Sequence, residues 1–333
     1  MTNSLPKCPR LSRRTVVAAV AAAGIGLAAG TSAPLHADEF PSDSITIVVA
    51  YPAGGGTDIS IRAMTDILSE ELGQTILVQN VGGAGGGVAA QQVARDAPDG
   101  YTLLATNSTS ITLAPLVLPS AYDMDSFEHV AILGEFQNAV FANIDMPYSD
   151  LDELVEFIQD EGRPMTFASQ LAIDRLLMEY IAQERGFDLR PVPVDGGAGA
   201  VQAALAGDVD VTFSGGSWAP IVEAGDAKAL FAASYERLKL APDLVSMKDL
   251  GFPFGVTSHI SLHAPAGTPQ EALDILGAAF EKAVNGERAQ EVGQQRFMDM
   301  TFQAPAQAVA TMEGERETYE ALLEIVGGID DDD

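Results

Sequence analysis

Two α/β lobes are the fold this chain predicts. Beyond residue 37, short β-branched runs alternate with helical periods, the pattern of βαβ units around a largely parallel sheet. The alternation comes in two series, the second starting near Pro147. A chain of 333 residues fits two ordinary domains and is long enough to bury a substantial core. The first strand, 45–51, is an unbroken β-branched run suited to burial on both faces. Ile61, Met64, Leu68 and Leu72 then share one helix face, and Gly73 is placed to end it. A strand at 75–79, a glycine-rich turn, a helix at 88–96 and a strand at 101–106 follow.

In the second series Ser149 can cap a helix carrying Leu151, Leu154, Val155 and Ile158, with Asp152 and Glu153 at its positive end. Strands at 165–169, 189–194, 209–213 and 229–234 alternate with helices built on Leu176, Leu177, Tyr180 and Ile181, then on Val201 and Leu205. An extended stretch at 256–264 precedes Pro265–Pro269 and three helical segments, and no tandem repeat of solenoid period occurs.

Residues 1–37 carry Lys7, Arg10, Arg13 and Arg14, no acid, and an apolar small-residue run from Val16 to Ala29. This is the layout of a cleaved signal peptide, and the run falls short of the roughly 20 apolar residues of a membrane span. Ser12-Arg13-Arg14-Thr15-Val16-Val17 resembles a twin-arginine export signal; a general secretory signal containing Arg-Arg is the alternative. Cleavage is expected after Ala37. Cys8 precedes the apolar run, so it is no lipidation site, and the mature chain would hold no thiol.

The whole chain has 47 Asp and Glu against 18 Lys and Arg, a formal charge of −29. Loss of the leader removes four basic residues, leaving 14 against 47, or −33. Such acidity excludes nucleic acid and anionic membrane surfaces as partners. A single Cys excludes an intramolecular disulfide and a thiolate metal cluster.

Pro52-Ala53-Gly54-Gly55-Gly56-Thr57-Asp58 joins the first strand to the first helix. Such a turn converges backbone N–H groups on the positive end of a helix dipole and suits an anion without any cationic side chain. Taken alone, it is a tight turn with Thr57 or Asp58 as N-cap. A second run, Gly82-Gly83-Ala84-Gly85-Gly86-Gly87, lies at the same place after the second strand, so both loops sit at one sheet edge, where α/β ligand crevices form. Neither run has GxGxxG in register, and no GK[ST] follows for a P-loop. His259 and His263 stand four apart in an extended stretch, without a carboxylate at zincin spacing, so no metal site is expected. Gly215-Gly216-Ser217-Trp218-Ala219 misses the nucleophile elbow at its last position. Asp208 and Asp210 read as a solvated strand edge, and Trp218 as partly buried packing or a reporter of closure at a cleft rim. No catalytic set emerges and no cofactor is implied; an exported hydrolase is the alternative from another class.

Tyr51 through Asp58, Leu72-Gly73-Gln74, Val78-Gln79-Asn80 leading into Gly83–Gly86, and Ala97-Pro98-Asp99-Gly100-Tyr101-Thr102-Leu103-Leu104 together resemble the substrate-binding receptors of tripartite tricarboxylate transporters, called Bug receptors. Gly225 through Ser234 with Arg237, Pro242-Asp243, and Ala264 through Pro269 extend the resemblance over nearly all of the mature chain. It implies a bilobal, type II-like Venus-flytrap fold in the periplasm with a two-strand hinge, near 141–143 and 256–262. Lobe 1 would comprise 38–142 and 260–333, and lobe 2 would comprise 143–259. It further implies a monomer that captures a small organic carboxylate, a dicarboxylate or related acid, for the permease subunits of such a system, without catalysis. By the same resemblance the ligand is held at Ala53, Gly54, Gly55, Gly56, Thr57, Asp58, Gly83, Ala84 and Gly85 on one lobe. Ser169, Asp174, Asp195 and Gly196 face it from the other.

Departures cluster in the second lobe. Ala168-Ser169-Gln170-Leu171-Ala172-Ile173-Asp174-Arg175 lacks the family's loop glycines and puts Arg175 at a His position; Pro193-Val194-Asp195-Gly196 replaces a Pro-Tyr-Lys-Gly pattern; His259 stands where Trp is common. An inward Arg175 could hold a carboxylate bidentately. An inward Asp174 or Asp195 would instead suit an amino acid or another nitrogen-bearing acid, and for each of these residues a solvated surface position is the alternative. A flytrap that serves a sensor rather than a transporter is a further reading.

Only five of the 18 basic residues are Lys, which with the acid excess points to a saline habitat. Screening lengths fall from about 10 Å at 0.1 M salt to about 3 Å at 1 M. Thermal stability and ligand affinity are therefore expected to rise over that range, and a drop in either on adding salt would refute the saline assignment.

Overall fold

The computed structural model describes residues 40–194 and 196–328. The leader, with its expected cleavage after Ala37, and Asp195 lie outside the described residues. The chain runs through β1 (Ile45–Val49), α1 (Gly56–Leu72), β2 (Ile76–Asn80), α2 (Gly87–Val93), β3 (Thr102–Asn107) and, after three short helical turns, β4 (Phe127–Phe136). There follow β5 (Ala139–Asn143), α3 (Leu151–Glu161), β6 (Met165–Ser169), α4 (Ala172–Arg185), β7 (Leu189–Pro193), α5 (Gly196–Ala206), β8 (Val211–Ser214), α6 (Trp218–Ala224) and β9 (Ala227–Ala232). The last part holds β10 (His259–Pro265), α7 (Gln270–Val284), α8 (Glu287–Arg296), β11 (Met298–Asp299) and α9 (Pro305–Val326).

These strands form two sheets, ordered β11-β4-β10-β3-β1-β2 and β7-β6-β8-β5-β9. Both are mixed. β1 is parallel to β2 and β3, whereas β10 runs antiparallel between β3 and β4. In the second sheet β6 is parallel to β7 and β8, and β5 runs antiparallel between β8 and β9. β1 is buried along nearly its whole length, and α1 buries Ile61, Met64, Leu68 and Leu72 before ending in left-handed Gly73, as the periodicity predicts.

Two details differ from the sequence expectation. The cap of α3 is Asp150, whose Oδ1 accepts the Glu153 N–H at 2.8 Å; Ser149 lies one residue outside and donates its own N–H to the Glu153 carboxylate. Asp210 is no solvated edge: it is buried, takes two bonds from the Arg163 guanidinium at 2.6 and 2.7 Å, and accepts the Thr166 N–H at 2.8 Å. This bidentate pair stitches the start of β8 to β6.

The chain passes from the first sheet to the second between Phe136 and Ala139 and returns between β9 and β10. The last helix belongs to both cores. Ala308 and Met312 pack with Val48, Leu104 and Ile132 of the first sheet. Tyr319 and Leu322 lie in the cluster of Leu154, Leu176 and Phe231, and the Tyr319 hydroxyl donates to the Thr257 carbonyl.

A second set of contacts joins the sheets. The Trp218 indole donates to the Gln137 carbonyl at 2.8 Å and meets the Phe297 ring edge-on at 5.0 Å. Lys239 reaches Asp299 at 2.8 Å. Gly216, at φ 141°, lies so close to the α8 end that a Cβ would stand 2.5 Å from the Phe297 carbonyl oxygen and 2.7 Å from that of Arg296. Gly216→Ala is therefore expected to cost about 1–3 kcal/mol in denaturant unfolding, through both the crowding and the left-handed backbone; a variant as stable as the parent would show that these contacts open freely in solution.

Candidate functional site

The site begins where β1 ends. Tyr51 and Pro52 lead into left-handed Gly54 (φ 86°) and then Gly55, the N-cap of α1, which has no side chain with which to cap the first turn. Neither Thr57 nor Asp58 occupies the cap position. Asp58 instead reaches back from inside the first turn: its carboxylate accepts the Gly54 N–H at 2.8 Å, the Asn80 amide at 2.9 Å and the Arg62 Nε–H at 2.9 Å. Asn80 also donates to the Tyr51 carbonyl at 3.0 Å. Burial works against the charged form of Asp58, but those donors prevail and hold its carboxyl below the ordinary range. The loop is thus fixed from behind, and its front faces open space.

That space is a cavity of about 400 Å³ between the two sheets, walled on the first side by Ala53, Gly54, Gly55, Gly56 and Thr57. Gln170, Leu171, Gly196, Gly197, Ser214 and Ser217 face them from the second. Gln170 is held by its amide, which donates to the Phe213 carbonyl at 2.9 Å. Asn107, also on the wall, accepts from the Thr109 N–H and hydroxyl through its side-chain oxygen, leaving its amide N–H groups to the cavity. The Ser214 hydroxyl is buried and without a hydrogen-bond partner among the described residues. Among the described residues no charged side chain lines this cavity. An adjoining cavity of about 570 Å³ shares Gly54–Gly56, Gly197 and Ser217 with it and adds Arg296, which is exposed at the end of α8.

Of the residues singled out in the sequence, Ala53–Thr57 and Gly196 meet at this cavity, while Asp58 lies behind it. Ala84, Gly85, Ser169 and Arg175 line a different cavity, of about 340 Å³, on the far side of Leu171. Gly83, at φ 126°, packs on Val88. Asp174 is fully buried and turned into its own loop, accepting the Gln170 and Leu171 N–H groups at 2.9 and 3.2 Å and the Ser169 hydroxyl at 3.2 Å. It lines none of these three cavities, and Asp195 lies outside the described residues. Tyr51, Asn107, Ser214 and Ser217 also line the cavity, and the sequence reading singles out none of them as a ligand contact, whereas Gln170 falls within the 169–174 loop that the resemblance implicates. Ser217 sits in the Gly215–Ala219 stretch considered only as a failed nucleophile elbow.

The histidines belong to the scaffold. The His259 ring bonds Glu315 at 2.6 Å, and the Ser108 hydroxyl donates to the same oxygen at 2.9 Å. Burial opposes the His259 charge, yet the Glu315 bond overrides it and the pKa is raised. His263 bonds His129 at 2.8 Å, and burial followed by that neighbour pushes its pKa well down. Among the described residues no three His, Cys, Asp or Glu side chains converge as metal ligands, and no helix is long and apolar enough to cross a membrane.

A family model described as the tripartite tricarboxylate transporter family receptor matches residues 60–325. A UPF0065 protein from the gbd 5' region of Cupriavidus necator is 31% identical over 278 residues, covering 83% of this chain and 84% of that relative. Protein BugT of Bordetella pertussis is 29% identical, covering 82% and 86%. Among solved structures, MatC from Rhodopseudomonas palustris with bound malate superposes with a TM-score of 0.76 at 28% identity, over 85% of this chain and 100% of MatC. The periplasmic binding protein BugD gives 0.74 at 26% identity, over 87% and 99%. The fold is accordingly the bilobal α/β architecture of periplasmic solute-binding proteins.

Burial raises the Asp174 pKa from 3.8 to about 7, against the pull of its hydrogen-bond donors. Between those values the folded chain holds a proton that the unfolded chain has released, so the stability this group provides is complete below about pH 4 and is lost as pH rises through about 7. From pH 5 to 8 the wild type is expected to lose stability relative to Asp174→Asn, by up to about 1.4 kcal/mol per pH unit below pH 7. Parallel denaturation profiles for the two proteins would mean that this carboxyl does not titrate there.

Proposed function

The chain belongs to the tripartite tricarboxylate transporter receptor family, and we propose that it captures a small organic carboxylate in the uncharged cavity between its sheets and presents it to a membrane transporter of that type. Proteins of this family bind solutes and are not enzymes. They are periplasmic. The observation that carries the ligand class is the α1 amino end: three N–H groups of the first turn have no side-chain cap, the helix dipole is positive there, and the described residues of the wall carry no charge of either sign to compete. The malate held by MatC supports the same class. A nitrogen-bearing acid would need a counter-charge, and the carboxyl of Asp174 is turned away from the cavity.

In this reading Ala53–Thr57, Asn107 and Gln170 bind one carboxylate, and Arg296 at the mouth receives the second carboxylate of a dicarboxylate. Lobe 1 takes the first sheet and lobe 2 the second, with the crossings as hinges. The chain is exported, cut after Ala37, and works as a monomer that docks on the multi-span permease subunits.

Purified protein tests this directly. A four-carbon dicarboxylate such as malate at about 100 times its Kd should stabilise the fold by about 2.7 kcal/mol. Arg296→Ala should weaken dicarboxylates about fivefold while leaving monocarboxylates little changed, consistent with one partly exposed charge-assisted contact. Stabilisation by neutral or cationic solutes and by no carboxylate would overturn the ligand class.

A further inference from the structure

Behind the wall of the main cavity lies a buried acid–base pair that the ligand contacts leave unused. The His259 Nδ1 meets the Glu315 carboxylate at 2.6 Å, and the two side chains are 7% and 3% exposed. Glu315 also receives the Ser108 hydroxyl at 2.9 Å and the Thr112 hydroxyl at 3.3 Å, so three donors converge on one carboxylate of α9. As a stabilising device such a pair is weak, because desolvation offsets its attraction.

Two segments of the cavity wall are tied to this pair. Ser108 donates its N–H to the His259 carbonyl at 2.8 Å, and its hydroxyl accepts the His259 N–H at 3.0 Å. Asn107 precedes the one and Ser258 the other, and both line the main cavity. Ser258 in turn takes the Phe136 N–H on its carbonyl at 2.9 Å and the Asn138 amide on its hydroxyl at 3.1 Å, joining the outgoing crossing to the returning one. His259 and Glu315 thus stand directly behind the residues that meet the cavity.

The charge of the pair depends on one proton. A carboxylate only accepts, so Nδ1 carries its hydrogen in either state, and protonation of the second ring nitrogen changes the charge while the bond to Glu315 stays. The charged groups facing His259 are Glu315 from α9 and Glu135 from β4; the 107–112 segment contributes no titratable group. Glu135 in turn faces Asp299 of β11 and Lys239, and Tyr319 lies near Glu315. His263, further along β10, bonds His129 instead. Burial works against a charge on His259, and the Glu315 bond, followed by the Glu315 and Glu135 charges, lifts its pKa above the ordinary value. Protonated, His259 and Glu315 balance; deprotonated, they leave a negative charge behind the wall, where salt screens it little.

We propose that anion capture in the main cavity is coupled to proton uptake by the His259–Glu315 pair, which makes both of them positioning residues that set affinity from behind the wall. The inference rests on the carboxylate reading of that cavity. A proton taken from water onto the His259 ring cancels the negative charge that a bound anion would meet, and by reciprocity the bound anion strengthens the hold on that proton. The added affinity is complete at low pH and is lost as pH rises through the titration of His259 in the complex.

NMR titration of the His259 imidazole in the purified protein tests this without any substitution. Malate Kd is expected to rise about fivefold between about pH 6.5 and about pH 9, equivalent to an upward shift of about 0.7 in the His259 midpoint on saturation with malate. His259→Gln, which keeps a donor for Glu315, should flatten the profile at the parent's high-pH affinity. Asp174 titrates in parent and variant alike, so the difference between their profiles belongs to the pair. In Glu135→Gln the dependence should persist, displaced to lower pH. An unmoved His259 midpoint in the malate-saturated parent overturns the coupling alone, as does a profile that persists in His259→Gln and vanishes in Glu135→Gln. Failure to bind any carboxylate at any pH overturns it together with the proposed function.

Discussion

Asp58 sets the terms for everything around the cavity. A helix that starts on three glycines has no side chain to hold its entry angle, and glycine is the residue with most backbone freedom to lose. The Asp58 carboxylate supplies the missing restraint by taking the Gly54 N–H, the Asn80 amide and the Arg62 Nε–H together. Since Asn80 ends β2 and also holds the Tyr51 carbonyl, one carboxylate fixes β1, β2 and α1 relative to one another. Its own charge stays behind the loop. The outward face keeps N–H groups that point at solvent or solute, the arrangement that the proposed anion site requires.

Much of this was legible in the sequence for physical reasons. The unbroken β-branched run of β1, the 3.6-period stripe of α1 and the glycine loop between them are local signals, and they appear in the structure where the pattern puts them. The strand β4 carries no such signal: Glu128, His129 and Glu135 interrupt its apolar residues, because it lies where β10 and β11 pair with it and polar groups can find partners. Site residues divided the same way. Glycines at 54–56 announce themselves through backbone chemistry, whereas Asn107 and Gln170 matter only because β3 and β6 end opposite one another, which no local window reveals. Asp174 and Arg175 were visible as charges but not as directions. Adjacent on α4, they turn to different sides, one into its own loop and the other toward the cavity it lines with Gly85 and Ser169.

Electrostatics separates by distance. The chain beyond residue 37 carries a formal −33, yet the described residues that line the main cavity are neutral. Surface charges act through water and salt and fade over about 8 Å at physiological ionic strength, while the N–H groups at the α1 start act at contact. In the proposed site, selectivity for an anion would rest on those short-range donors and on keeping carboxylates such as Asp58 and Asp174 behind the wall.

The last helix has a consequence for how the molecule is made. Ala308 and Met312 complete one core, Tyr319 and Leu322 the other. As the chain grows during synthesis, one of these clusters cannot close until Met312 has been added and the other until Leu322 has, although most of both sheets is already present. Domain-by-domain folding of the nascent chain, common in two-lobed proteins, is thereby coupled into one late step, and the incomplete cores before it are the surfaces a chaperone would find.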